Sequence, residues 1–369
     1  MVKYGIALGI DPDPGNPDAA YPSRADAESR ERADIFGWLN GQIEDRSDEI
    51  GKPPAALREY LSAHEDDLRA LVAALQKDAP DWGEPPEGEH LGKHFLLTMR
   101  VSRTLLAAAL VGDFDSNFIE SGQALEASWS LILPMADREK IVEQLIATAI
   151  EKLQAGVLRK VKQPSLSWQG RLSSDGPYKH MLAAIRSGTV GRPSSSGALD
   201  PEPNDRADRK LVSAFLELLE RSSPCGLAAM SDEDIANSLK KTLGPDLPEE
   251  VRQAGSIKAG ILVPNLLNAA RRAGRTEVDR ELTLRVLQLR FEMDAAPGGR
   301  WPDRLMDRTS AVCPAVEYAY RSDRSGIEVR FEGTINPPTS IPVIPLAFRS
   351  RQPPFPTPTP TAAPVENDR

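Results

Sequence analysis

Apolar residues recur along most of this chain at intervals of three and four, the period of helices that each bury one face. Ile35, Trp38, Leu39 and Ile43 share such a face in a charged segment, and Leu57, Leu61, Leu68, Leu71, Val72 and Leu75 form a clearer stripe behind Pro54, whose fixed φ suits a first helical turn. The segment "KDAPDWGEPPEGEH" stops the pattern with three prolines and two glycines. The pattern resumes through Leu91, Phe95, Met99, Leu105, Leu106 and Leu110, with Gly112 as the expected stop. Two further helices follow in "FDSNFIESGQALEASWSLILPM" and "DREKIVEQLIATAIEKLQAGVLRKV", the second with Asp137 as N-cap, so that residues 91–161 read as up-and-down hairpins.

Beyond residue 162 the pattern is patchier. "HMLAAIRS" is a short helical segment inside a stretch rich in Ser, Gly and Pro. Helices return at "DRKLVSAFLELLERS", at "SDEDIANSLKKTLG" with Ser231 as N-cap and Gly244 past the end, at "SIKAGILVPNLLNAARRAG" and at "TEVDRELTLRVLQLRFEMDA". After "GGRWPDRL" the period changes to two: Val316, Tyr318 and Tyr320, then Ile327, Val329 and Phe331, alternate about "RSDRSG" and predict a β-hairpin.

These elements predict a mainly α fold of antiparallel helical hairpins with a small C-terminal β-hairpin. The expected organisation is an extended segment over 1–20, a helical domain over 21–162, a loop or linker over 163–206, a helical segment ending in the hairpin over 207–335, and a Pro/Thr-rich tail over 336–369 that cannot bury a core. In "GGRWPDRL", Gly298 and Gly299 stop the long helix by accepting positive φ, Pro302 sets a turn, and Trp301 and Leu305 fold back as apolar plugs. Trp301 is expected against Leu287, Phe291 or the hairpin near Tyr318.

Composition sharpens this outline. Aromatic residues make up only 5% of the 369, so the core is built from Leu, Ala, Ile and Val, which suits helices. A net charge of -9 opposes the attraction on which sequence-independent nucleic-acid binding relies. Cys225 and Cys313 lack any CxxC spacing and read as small buried hydrophobes, with a single disulfide as the alternative in an exported chain. No apolar run reaches the roughly 20 residues that span a bilayer. The start, "MVKYGIALGIDPDPGNPD", reads as a first strand or loose terminus, or else as the stub of an anchor whose upstream part is missing.

Candidate chemistry is sparse. His90 and His94, with Glu89, share a helical face, but they lack the H-E-x-x-H order and a third histidine, and they read as a solvated helix start. The acids Glu65, Asp66 and Asp67, and Asp232, Glu233 and Asp234, read as first-turn residues that complement helix dipoles. "SDG" at 174–176 and "SSSG" at 194–197 lack the nucleophile elbow and read as loops, the glycines of "GIALGIDPDPG" lack phosphate-binding spacing, and "RRAGR" at 271–275 reads as a basic helix end. The residues therefore imply no catalytic residue, no metal and no cofactor.

The passage from helix through Gly-Arg-aromatic-Pro-x-x-Leu to short strands is similar to the C-terminal part of a group of uncharacterised bacterial proteins, many of which carry an N-terminal membrane anchor. It resembles the helix-to-sheet passage of type II pseudopilins and type IV pilins. The "GD" hairpin in "LLAAALVGDFDSNFIESGQALEASWSL" is similar to mid-chain hairpins of the same group and resembles tetratricopeptide units. The likeness covers residues 91–160 and 257–335. The chain departs from pilins in lacking a prepilin-peptidase site and a long apolar first helix, so fibre assembly is not implied. The resemblance brings no known activity or catalytic residues with it, and the expectation is a non-enzymatic helical scaffold or interaction protein with protein partners, associated with the bacterial envelope or a larger membrane complex. The competing expectation is a hydrolase with its site in a cleft between the helical blocks.

Overall fold

The computed structural model describes residues 7–8, 27–78, 91–136, 138–190, 203–243, 255–333, 335 and 346–351; the side chains of 27–34, 91–96, 136, 188–190, 203–210, 232, 240 and 255–263 fall outside the description. The fold is mainly helical with a small antiparallel sheet at the C-terminal end. The helices are α1 (Ala27–Glu44), α2 (Ala55–Ala63), α3 (Glu65–Lys77), α4 (Leu91–Phe114), α5 (Phe118–Ser130), α6 (Leu133–Ala136), α7 (Ile141–Leu158), α8 (Ser167–Ser173), α9 (Pro177–Val190), α10 (Pro203–Arg221), α11 (Pro224–Ala229), α12 (Asp232–Leu243) and α13 (Gly255–Ala295). No described helix is long and apolar enough to cross a membrane.

The central element is α13. Its 41 residues extend about 60 Å at the usual helical rise, and it packs against α7, α8, α9, α10, α11 and the sheet. Different faces along its length enter different cores. Leu266, Leu267, Ala270 and Ala273 join Met181, Ile185, Phe215 and Leu219; Leu287 joins Leu39, Leu110, Leu153 and Trp168; and Val278, Leu282, Val286 and Leu289 face the sheet. A second, more N-terminal core holds Leu71, Leu75, Val101, Leu105 and Leu131 together with Leu8. The Leu8 carbonyl accepts a bond from the Tyr60 hydroxyl at 2.9 Å, which ties this point of the N-terminal segment down.

Several expected breaks do not occur. The two helices expected around "RRAGR" are one: α13 runs through Pro264 and Gly274. Gly274 instead permits close packing, because a Cβ there would lie 2.8 Å from Pro224 of α11. Gly112 likewise does not end α4, which continues to Phe114. The left-handed residue is Ser116, at φ 63°, and Gly112 serves the approach of α5, since its Cβ would meet the backbone of Asn117 and Ser121 at 3.3 Å. The single helix expected after Pro54 is divided at His64 into α2 and α3. Lys140, not Asp137, stands at the N-cap of α7; Asp137 and Gly244 lie outside the described residues. Ser231 does cap α12: its hydroxyl accepts the Asp234 N–H at 3.1 Å while the Asp234 carboxylate accepts the Ser231 N–H at 2.9 Å.

The sheet consists of β1 (Tyr318–Asp323), β2 (Gly326–Phe331) and β3 (Ala347–Arg351) in the order β1-β2-β3, with Tyr318 opposite Phe331 and Tyr320 opposite Val329. The expected hairpin thus forms, with its first strand starting at Tyr318 so that Val316 precedes it. The third strand corrects the reading of 336–369 as a tail without core: Ala347 and Phe348 are buried, and β3 pairs Val329 with Phe348. β3 is held on its other side by residues 46–48, through Asp48 N–H to the Arg349 carbonyl at 3.1 Å and Arg349 N–H to the Arg46 carbonyl at 2.8 Å.

Gly298 and Gly299 end α13 with φ of 78° and 62°. Trp301 and Leu305 are buried beside Val286, Leu289, Tyr318 and Phe348, and the indole N–H donates to the Arg351 carbonyl at 3.1 Å. Phe291 is exposed and Leu287 faces another core, so the plug seats on the sheet side of α13. Cys225 and Cys313 are not separate buried hydrophobes but a disulfide, Cα atoms 5.7 Å apart. The bond joins α11 to the segment leading into β1, both of which lie against α13.

Candidate functional site

Charged residues fall in two settings. Along α13 they are buried and bonded within the fold. Arg280 is 2.8 Å from Glu151 of α7, with side-chain exposures of 3% and 7%, and it donates to the Arg171 carbonyl at the end of α8 at 2.7 Å. Arg159 reaches Asp279 and the Thr283 hydroxyl, each at 2.7 Å. Arg285 pairs with Glu281 at 3.0 Å and donates to the carbonyls of Asp307 and Thr309, while Glu281 also accepts from Ser310, Ala311 N–H and Tyr318. Arg290 donates to the carbonyls of Leu158, Arg159 and Val161 at the end of α7. "RRAGR" belongs to this series and is not a helix end: Arg271 donates to the Met230 carbonyl and Arg275 to that of Ile335. These guanidiniums satisfy carbonyls that a helix or turn leaves open.

Burial shifts several of these groups. It pushes the Glu151 carboxyl above the ordinary glutamate range, with Arg280 opposing, and raises that of Glu277, opposed by the N–H of Tyr178 at 2.9 Å. Glu277, His180, Glu151 and Arg280 meet where α7, α9 and α13 converge. This is the nearest approach to an acid–base set between the two helical blocks. Its carboxylates have structural partners: Glu277 caps the first turn of α9, and Glu151 pairs with Arg280. Lys160, fully buried, likewise has its ammonium lowered by desolvation, and it holds residues 45–49 through the Asp45 carboxylate and the Ser47 and Glu49 carbonyls at 2.7–3.1 Å. Asp113 of the "GD" pair is also raised by burial and accepts the Lys162 N–H at 2.9 Å.

The second setting is an open groove of about 530 Å³ between α2–α3 on one side and α5 on the other, floored by α4. Its apolar lining comes from Leu61, Leu68, Val72, Leu105, Ala108 and Val111. Leu57, Leu71 and Leu75 of the same sequence stripe are buried in cores, whereas Leu61, Leu68 and Val72 are only partly buried, packed against those cores on one side and open to the groove on the other. The rim is charged. Arg58 makes a two-pronged pair with Asp115 at 3.0 and 2.7 Å, and Arg69 bonds Glu65 at 2.5 Å and Asp66 at 2.9 Å. The acids at 65–67 do occupy the first turn of α3, and Glu65, which lines the groove, also pairs with Arg69 on its rim.

Of the residues singled out in the sequence, Glu89 and His90 lie outside the described residues, as do the His94 side chain and "SSSG". Among the described residues no group of three or more His, Cys, Asp or Glu is placed to hold a metal. "SDG" at 174–176 is the loop between α8 and α9, where Gly176 leaves room for Glu277. The groove was not foreseen in the sequence; its one signal is an apolar stripe on α2–α3 wider than one core contact requires. No family model matches the chain, and neither a curated protein nor a solved structure is detectably similar to it.

Proposed function

We propose that the protein is a non-enzymatic helical scaffold that docks a segment of a partner protein in the groove between α2–α3 and α5, and that it works in the bacterial envelope. The observation that carries this reading is the groove itself: partly buried Leu61, Leu68 and Val72 opening into it beside a rim of ion pairs, in a volume within the range of binding sites. The Cys225–Cys313 bond supports the compartment, since structural disulfides persist where the surroundings are oxidising. A photo-crosslinking amino acid at Gln123, on the groove wall, tests the docking role in the native envelope fraction. The expected result is a discrete adduct at Gln123 that is lost in Leu68→Gln and missing from a probe at exposed Arg321. Identical adducts at both positions would contradict it.

The rival reading, a hydrolase between the helical blocks, draws on one observation: Glu151, Glu277 and His180 converge between α7, α9 and α13. It requires Glu277 to leave the Tyr178 N–H. Hydrolysis of a chromogenic ester that disappears in Glu277→Gln, with folding retained, would favour this reading over the scaffold.

A further inference from the structure

Resting on the reading that the groove docks a partner, we infer that its occupant is a cationic amphipathic α-helix of another protein. The walls and floor are helices whose backbone groups are bonded internally, so they offer no ladder to an extended peptide. An occupant must be read through side chains, as a helix with apolar residues at i, i+3, i+4 and i+7 is read in a hydrophobic trough. Ala108, Gly112 and Ala124 keep the floor low beneath Leu61, Leu68 and Val72, leaving depth for such side chains.

The sign of the partner follows from the rim. Three carboxylates that line the groove, Glu65, Asp115 and Glu120, stand against two guanidiniums, Arg58 and Arg69, and both guanidiniums are already paired. Among the described residues Glu120 has no ion-pair partner, and it projects from α5 with its side chain exposed. The rim is therefore net negative in a chain of charge -9. Lysines or arginines flanking the apolar stripe of an incoming helix would meet carboxylates on both walls, and an acidic helix would be repelled.

The test uses three fluorescein-labelled synthetic peptides of about five helical turns with identical leucine positions and with Lys, Gln or Glu elsewhere. Each is titrated into the full chain by fluorescence anisotropy. The Leu/Lys peptide should bind about tenfold more tightly than the Leu/Gln peptide, with Leu/Glu weakest, and the difference should shrink as salt is raised. Glu120→Lys, at an exposed position, should reduce Leu/Lys affinity several-fold and leave Leu/Gln unchanged, while Leu68→Gln should weaken all three at an unaltered circular dichroism spectrum. Equal binding of the Leu/Lys and Leu/Gln peptides, with loss in Leu68→Gln, would overturn the cationic partner and leave the docking groove standing. No binding by any peptide, or binding indifferent to Leu68→Gln, would overturn the groove as well.

Discussion

The surroundings of α13 and the α2–α5 hairpins handle charge in opposite ways. Around α13, Arg280 and Arg285 are buried and Arg290 partly so, and all three are bonded to carboxylates or to helix-end and turn carbonyls. In the hairpins the cores are apolar and the ion pairs beside the groove stay on an open rim above partly buried leucines. Buried pairs add little net stability against hydrophobic substitutes, yet an unpaired member is costly, so they define one arrangement of helices. Rim pairs are weak and solvated, and they leave a surface able to change partners. The difference separates a part of the molecule that sets shape from a part suited to recognition.

Breaking the buried part should have the largest effects. Arg280→Met leaves Glu151 without its counter-ion and the Arg171 carbonyl without its donor, and it should cost about 3 to 5 kcal/mol in urea unfolding. Adding Glu151→Leu should recover most of that loss. Trp301→Ala opens a cavity between α13 and the sheet and should also cost about 3 to 5 kcal/mol, with the peptide affinities unchanged. Removing the disulfide by Cys225→Ser with Cys313→Ser frees a loop that spans 88 positions and should cost about 2 to 5 kcal/mol, read as a lower thermal midpoint that reductant no longer affects.

A smaller effect follows from the buried glutamates. Glu151 and Glu277 hold their protons more tightly folded than unfolded, so their contribution is fully present below the unfolded value of 4.5 and is lost as pH rises through the raised folded values. Mild acidification from neutrality should therefore raise the thermal midpoint, and Glu277→Gln should flatten that dependence. The exposed Asp175, Asp234 and Asp323 are lowered by hydrogen bonds from Lys179, Ser231 and Ser325, and they act only at lower pH. Smallest of all, Arg58→Ala removes a pair more than a third exposed and should change stability by less than about 1 kcal/mol. A large loss would mean that the rim, too, is structural.

Much of the fold was legible because the helical period and turn residues are local. Ile35 and Leu39, Gly298 and Gly299, the Ser231 cap and the register of Tyr318 against Phe331 all follow from neighbours in sequence. What failed depends on distant partners. Gly274 signals a break, yet α13 runs through it, with Gly274 placed against Pro224. "AFRSR" is too short to announce a strand, and becomes one because β2 and residues 46–48 flank it. Cys225 and Cys313 stand far apart in sequence and meet through α13. The groove was hidden for the same reason: Leu57 and Leu61 look alike in one stripe, and only the placing of α1 and α4 buries the first fully and the second in part.

Native-state hydrogen exchange on the full chain tests the contrast between the two regions most directly. Amides of α13 between residues 278 and 290 should exchange only through global unfolding, whereas those of α2 and α3 beside the groove should exchange through local opening at a clearly lower free energy. Slower exchange in α2–α3 than around Arg280 and Arg285, or one uniform free energy across both regions, would contradict the division into a shape-setting core and an adaptable binding face.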